Sequence, residues 1–181
     1  SGAGVTVGVL SDGVLSLADS QAAGELPDDV RVLPGQEGFG DEGTAMLEIV
    51  HDVAPGANLL YATAFDGQQS FADNIRALRA AGADIIVDDV IYFDESPFQD
   101  GPIAAAVNEV TADGALYFSS AGNEGNVTDG TSGTWEGAYR PSGRKITGAG
   151  ELHDFDPGAN RVQVANPLSP GSFGLPADLF W

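Results

Sequence analysis

Cysteine is absent from this 181-residue chain, so it has no disulfide framework and no thiol chemistry. Cations are nearly as scarce: seven lysines and arginines stand against 27 aspartates and glutamates, a formal charge of −20. A surface of that sign offers no basic face to nucleic acid or to an anionic bilayer, and both are excluded as partners. No stretch approaches the ~20 consecutive apolar residues that span a membrane, and no signal peptide is present. The start, Ser1-Gly2-Ala3-Gly4, reads as a processed one, so a missing signal is silent on export. The two histidines, His51 on the polar side of a helix and His153 in a loop, read as surface residues. The acidic composition fits a soluble, extracellular or periplasmic protein, or one from a salty habitat.

What is there is a regular alternation. The run Val5–Leu10 is almost wholly apolar and ends in Ser11-Asp12-Gly13, as a strand buried on both faces of a parallel sheet does. A short helix over Leu17–Ala23 and a strand over Asp29–Leu33 follow. A helix then opens at Asp41-Glu42, with Ala45, Met46, Ile49, Val50 and Val53 expected as its buried face, and Pro55-Gly56 stops it. Further strands are expected over 58–65, 83–90 and from Ala115, and further helices over Gln69–Ala81 and Ile103–Thr111, the last with Ala104, Val107 and Val110 inward. Strands and helices alternating through short connections predict an α/β fold with a doubly wound parallel sheet. From residue 126 glycine, serine, threonine and proline take over, and residues 126–181 read as a β-rich insertion, with residues 1–125 as the core. Within it, alternating segments at Lys145–Thr147 and Arg161–Ala165 are separated by turns at Asp156–Ala159 and Ser169–Ser172. Residues 177–181 end in an apolar run with no closing signal, as in a chain that has been cut.

The chemistry-bearing residues are carboxylates at element ends. Asp12 ends the first strand, where ligand sites of open α/β sheets lie; the alternative is a turn aspartate before Gly13. Asp41 and Glu42 sit at a helix N-terminus, which favours negative charge. Asp88 and Asp89 close an apolar strand, where one faces the surface by alternation and the other must be paired, solvated or shifted in pKa. A divalent cation is a third reading, with Asp12, Asp41, Glu42, Asp88 and Asp89 as oxygen ligands for Ca²⁺; otherwise no cofactor is implied.

Three words, in order, resemble the subtilase superfamily of serine peptidases: Gly8–Gly13, Glu42-Gly43-Thr44 with Val53–Ala57, and Ser120–Gly125. The resemblance implies a subtilisin-like fold over the first two thirds of the chain. Glu42 stands where subtilases keep the catalytic histidine, as in the acid-active sedolisins. Sedolisins carry an aspartate four residues later, and this chain has Met46 there. Aligned without gaps, Ser11 falls on the family's catalytic aspartate and Asp12 one place later. Asp89 falls on a serine that lines the substrate cleft, where it can supply the carboxylate that Met46 does not. Asn123 matches the subtilase oxyanion asparagine, where sedolisins usually have aspartate.

The resemblance thus implies a serine endopeptidase with Glu42 as general base, Asp12 or Asp89 as its carboxylate partner and Asn123 as oxyanion donor, acting on peptides. The family's nucleophile sits in Gly-Thr-Ser opening a helix. Gly130-Thr131-Ser132 has the letters, but Gly133 and Gly137 follow where the helix should be, so the serine is expected on a downstream segment or partner chain. The alternative is a non-catalytic relative that binds a peptide or partner chain in the same cleft.

Overall fold

A computed structural model describes residues 1–123, 125–156, 158 and 161–166. The expected turn at Ser169–Ser172 and the apolar run at 177–181 lie outside the described residues, as do two of the four residues of the turn at Asp156–Ala159. The chain divides into two compact units, the first being Ser1–Asn123.

In the first unit strands and helices alternate without exception: β1 (Thr6–Ser11), α1 (Leu17–Ala23), β2 (Arg31–Val32), α2 (Glu42–Val53), β3 (Asn58–Thr63), α3 (Gln68–Ala80), β4 (Ile85–Asp88), α4 (Pro102–Ala112) and β5 (Leu116–Ser119). All pairings are parallel, in the order β2-β3-β1-β4-β5. Winding runs from β1 outward to β2, returns through β3, then crosses by α3 to β4 on the other side of β1. The α/β class and the doubly wound parallel sheet predicted from the sequence are therefore what the chain forms.

The period of two along each strand sorts side chains between two apolar layers. Val7 and Val9 of β1 join Leu59 and Tyr61 of β3 and Leu47 of α2 on one face of the sheet. Leu10, Leu60, Ala62 and Ile86 point the other way, against Phe71, Ile75 and Leu78 of α3 and Ile103, Ala106 and Val110 of α4. Each fully buried Leu or Ile here contributes about 1.5–3 kcal/mol of transfer free energy, spread over both layers. A bidentate Arg76–Glu109 pair ties α3 to α4, and Arg79 ties α3 to the end of α4 through the carboxylate and the backbone carbonyl of Asp113, at the solvent edge.

Two helix faces differ from expectation. On α2 the buried residues are Gly43, Thr44 and Leu47, with Met46 and Val50 half-buried. Ala45 is exposed, and Ile49 and Val53 are 64% and 74% exposed. Gly43, Leu47, Val50 and Ala54 satisfy the same helical spacing, and this stripe wins because Gly43 lets the helix lie flat on the sheet. On α4, Ile103, Ala106 and Val110 are the buried positions, with Ala104 and Val107 at the margin. The β2 strand is shorter than Asp29–Leu33 because only Arg31 and Val32 pair with β3.

The second unit contains an antiparallel pair, β6 (Pro141–Ile146) and β7 (Gly150–His153), with Lys145 opposite Glu151. The expected strand at Arg161–Ala165 is not formed; the Gln163 carbonyl instead accepts from Phe155 N at 2.7 Å. His153 is a strand residue and half-buried, a correction to the surface-loop reading. Its Nδ1 accepts from Arg140 N at 2.9 Å, and its ring meets Trp135 and Phe155 edge-on. Ser132 heads no helix; its hydroxyl closes a local turn with Thr134.

Candidate active site

The order β3-β1-β4 makes the carboxyl ends of these strands the switch point of the sheet, where crossovers leave in opposite directions and a crevice opens. Ser11 and Asp12, Thr63, and Asp88 and Asp89 all stand there. The start of α2 lies over the same edge, on the face carrying Val7 and Val9.

The close approach of α2 is set by Gly43. A Cβ at this position would strike the ring of Tyr61 and come within 2.5 Å of the Gly13 carbonyl oxygen. The helix start therefore rests directly on β1 and β3, and Glu42, its first residue, is held over the strand ends. Asp12 completes the anchoring: its Oδ1 accepts from Gly13 N at 2.6 Å and from Gly43 N at 3.3 Å. A carboxylate from β1 thus satisfies one of the open N–H groups of α2. Asp41, the residue at the cap position, is committed elsewhere, accepting from Ser16 N at 2.6 Å and Ser16 Oγ at 3.0 Å.

Ser11 continues the Val7–Val9 face and is fully buried; its Oγ lies 3.5 Å from Glu42 Oε2. By the same alternation Asp88 and Asp89 part company. Ile85 and Val87 belong to the α2 side, and Asp89 follows them; Ile86 and Asp88 belong to the α3–α4 side. Asp89, whose side chain is exposed, stands near enough to Glu42 for its charge to act on that carboxyl. Glu42 is consequently pushed above its ordinary value. Loss of hydration against the strand ends is the largest cause, although Glu42 remains exposed, followed by the negative charges of Asp89 and Asp12, with the hydrogen bond from Ser11 acting in the opposite direction.

Three of the four expected site residues, Glu42, Asp12 and Asp89, therefore lie close enough to act on one another at the strand ends. Asn123, the fourth, is exposed at the end of the segment leaving β5. Asp12 and Ser11 both reach α2 because the backbone turns at Gly13, where it bridges to Gly38. Residues that the sequence patterns did not single out are Gly43 and Tyr61. The Tyr61 side chain is wholly inaccessible, its hydroxyl has no hydrogen-bond partner of good geometry, and burial followed by the Asp12 charge pushes its phenol upward. The alternation Leu59–Tyr61–Thr63 would have put it beneath the helix start.

Asp88 sits on the opposite face, 4% exposed, accepting from Ser119 Oγ at 2.8 Å and Val90 N at 3.3 Å. Burial pushes its carboxyl up, against those hydrogen bonds. Its separation from Asp89 also divides the five carboxylates considered for Ca²⁺, and among the described residues no group of three or more acidic or histidine side chains is arranged to hold a metal ion. His51, read as a surface residue, is half-buried on α2, and its Nδ1 is inaccessible and without a hydrogen-bond partner among the described residues.

The sheet order and the helix over the ends of β1 and β3 define a subtilisin-like α/β unit, with the acids at its carboxyl edge. Among solved structures, the prenylagaramide maturation protease PagA superposes with a TM-score of 0.53 at 20% identity over 66% of this chain and 46% of its own. The self-cleaved protease domain of PatA follows at 0.49 and 22%, over 66% and 50%. The chain thus spans about half the length of these structures. No family profile matches the chain, and no curated protein matches it.

Proposed function

We propose that this chain forms the base-bearing half of a subtilase-like serine endopeptidase, in which Glu42 is the general base and the nucleophilic serine comes from a downstream segment or partner chain. The observation that carries the reading is the gathering of Glu42, Asp89 and Asp12 at the switch point, with Glu42 pushed upward. A carboxylate at a helix N-terminus is ordinarily too weak a base to activate a hydroxyl at useful rates. Two carboxyl groups in contact share a proton, and the pair's higher pKa rises toward the range in which a base is effective. Asp89 is the sharing partner, and Asp12 holds the helix start in place.

In the acylation step the serine Oγ attacks the peptide carbonyl carbon while Glu42 takes the hydroxyl proton. The C–O bond forms as the carbonyl electron pair moves onto oxygen, and the Asn123 amide donates to that oxyanion. Glu42 then delivers its proton to the amide nitrogen, and the C–N bond breaks. Water repeats the sequence to release the acid. An oxyanion donor of this kind supplies ~3 kcal/mol of transition-state stabilisation. The chemistry calls for no cofactor. The same reading carries an extracytoplasmic location, in keeping with the acidic composition. PagA is itself named as a maturation protease, which agrees with a peptide as substrate.

The test is peptide hydrolysis by the full-length protein carrying single substitutions. Glu42→Gln and Asp89→Asn each abolish turnover, whereas Asp12→Asn retains most of it. Equal, small losses from Asp89→Asn and Asp12→Asn would sink the paired-carboxylate mechanism. The second reading is a non-catalytic domain that holds a peptide in this cleft. It is favoured by one observation: the hydroxyl beside Glu42 in the described residues is that of Ser11, which is buried out of reach of a substrate.

A further inference from the structure

On the face of the sheet away from Glu42, a cavity of about 330 Å³ opens between the carboxyl ends of β4 and β5 and the start of α4. Asp88 and Tyr117 line it from the sheet, Phe71 from α3, Asn108 from α4, and Tyr92 and Glu95 from the segment after β4. The Phe71 and Tyr92 rings lie 6.0 Å apart at 34°. Tyr92 is fixed at its tip, donating to the Ala64 carbonyl at 2.6 Å and accepting from Gly67 N at 3.1 Å, so its ring is a rigid wall.

The acids of this cavity have no cation of their own. The hydrogen bonds from Ser119 and Val90 to Asp88 fall on Oδ1, the neutral Tyr117 hydroxyl lies beside the carboxyl and favours its charged form, and its charged neighbour is another carboxylate, Asp89. The three arginines of this unit are engaged elsewhere: Arg31 on the Ala81 carbonyl, Arg76 on Glu109 and Arg79 on Asp113. A carboxyl 4% exposed is costly to bury without a counter-charge, and flat aromatic walls with carboxylates at floor and rim match the planar, cationic end of an extended side chain. A smaller cleft between Val90–Tyr92 and Ser119–Gly122 adjoins the cavity, sharing Val90, Tyr92, Glu95 and Ser119 with it.

We infer that this cavity binds the side chain of an arginine, or of a lysine, in the peptide substrate, with Asp88 and Glu95 as the residues that select it. The inference rests on the peptidase reading and adds the substrate class to it. Adjacent residues then divide the labour across the end of β4: Asp89 turns toward Glu42 and the reacting bond, and Asp88 turns toward the side chain that fixes the peptide's register.

Calorimetric titration of the chain with Nα-acetyl-arginine methylamide and with its neutral isostere, Nα-acetyl-citrulline methylamide, tests this without requiring turnover. The arginine probe is expected to bind at least about tenfold more tightly than the citrulline probe. Asp88→Asn and Glu95→Gln should each remove most of that preference; Glu95→Gln lies in a surface segment and serves where Asp88→Asn does not fold. Equal affinity for both probes, binding of neither, or an arginine affinity untouched by both substitutions would overturn the inference. Failure of the peptidase reading looks different. Arginine binding then survives, while the full-length protein shows no hydrolysis that depends on Glu42. If the selectivity alone is wrong, Glu42-dependent hydrolysis persists with no preference for basic peptides.

Discussion

Replacing Gly43 with alanine tests the placement of the whole site through one methyl group. In an ordinary first helical turn, alanine is better than glycine by about 0.5–1 kcal/mol, because the unfolded chain loses less freedom. Here the added Cβ would meet the Tyr61 ring and lie 2.5 Å from the Gly13 carbonyl, which belongs to the backbone beside β1 and cannot swing aside. Overpacking of this kind costs about 1–3 kcal/mol and is worst against main chain. The net expectation is a loss of about 1–2 kcal/mol, or roughly 3–15 °C in the melting temperature of a unit of this size. The relief available is outward movement of the start of α2, which carries Glu42 away from Ser11 and Asp89. Hydrolysis by the full-length protein should therefore fall further than the stability loss explains. Ala45→Gly is the control: Ala45 is exposed on the same turn, and its replacement should cost about 0.5–1 kcal/mol with activity retained. Differential scanning calorimetry reads both. A Gly43→Ala chain that melts at or above the parent temperature would show that α2 does not lie against Tyr61, and the site geometry would go with it.

The shared-proton arrangement is read directly by carboxyl ¹³C NMR. Glu42 should titrate above its ordinary value of 4.5, fall toward it in Asp89→Asn and rise further in Ser11→Ala; a midpoint at or below 4.5 in the parent chain refutes it. The sign carries over to stability. A raised carboxyl favours the fold while protonated and loses that contribution as pH rises through the folded value, so Glu42→Gln should melt no lower than the parent at pH 7. Asp88, also raised, gives a matching expectation: Asp88→Asn melts higher than the parent near neutrality, and the difference closes on acidification below the ordinary value of 3.8. The corrected face of α2 is checked by a pair of truncations, Leu47→Ala costing about 2–5 kcal/mol and Ile49→Ala within about 0.5 kcal/mol of neutral, measured by urea unfolding.

Much of the fold was legible because parallel strands buried on both faces read as short apolar runs, and the helices between them carry a 3.6-residue period. Helix α1 falls on the expected residues, and α3 is displaced by one at each end. What periodicity could not decide was which of two overlapping stripes on α2 turns inward. Ala45, Ile49 and Val53 satisfy the spacing as well as Gly43, Leu47 and Val50 do, and the choice depends on Tyr61 from a strand still to come. The candidate site was legible as carboxylates at element ends, not as a constellation. Whether Asp12 or Asp89 faces Glu42 depends on the turn at Gly13 and on the β4 register, where Asp88 lies beside Leu10. For Tyr61 the alternation Leu59–Tyr61–Thr63 offered a side of the sheet but no role, since a tyrosine within Asn58–Thr63 looks like any core aromatic.

The adjacency of Asp88 and Asp89 has a physical logic that a single acid could not supply. A strand that ends at a switch point has only two directions for successive side chains, one into each layer of the fold. A carboxylate on the α2 side is useful as an acid–base partner, because Glu42 raises the pair's affinity for a proton and solvent can exchange it. A carboxylate on the α3–α4 side is shielded from Glu42 by the sheet and is left to meet an incoming positive charge. The same two residues placed two apart would share a face and drive each other's protonation, leaving neither job well done. That argument makes a one-residue shift in β4 fatal to both roles at once. It also explains why the acids stand immediately after Ile85–Val87, the part of the strand whose register against β1 is held by packing on both faces.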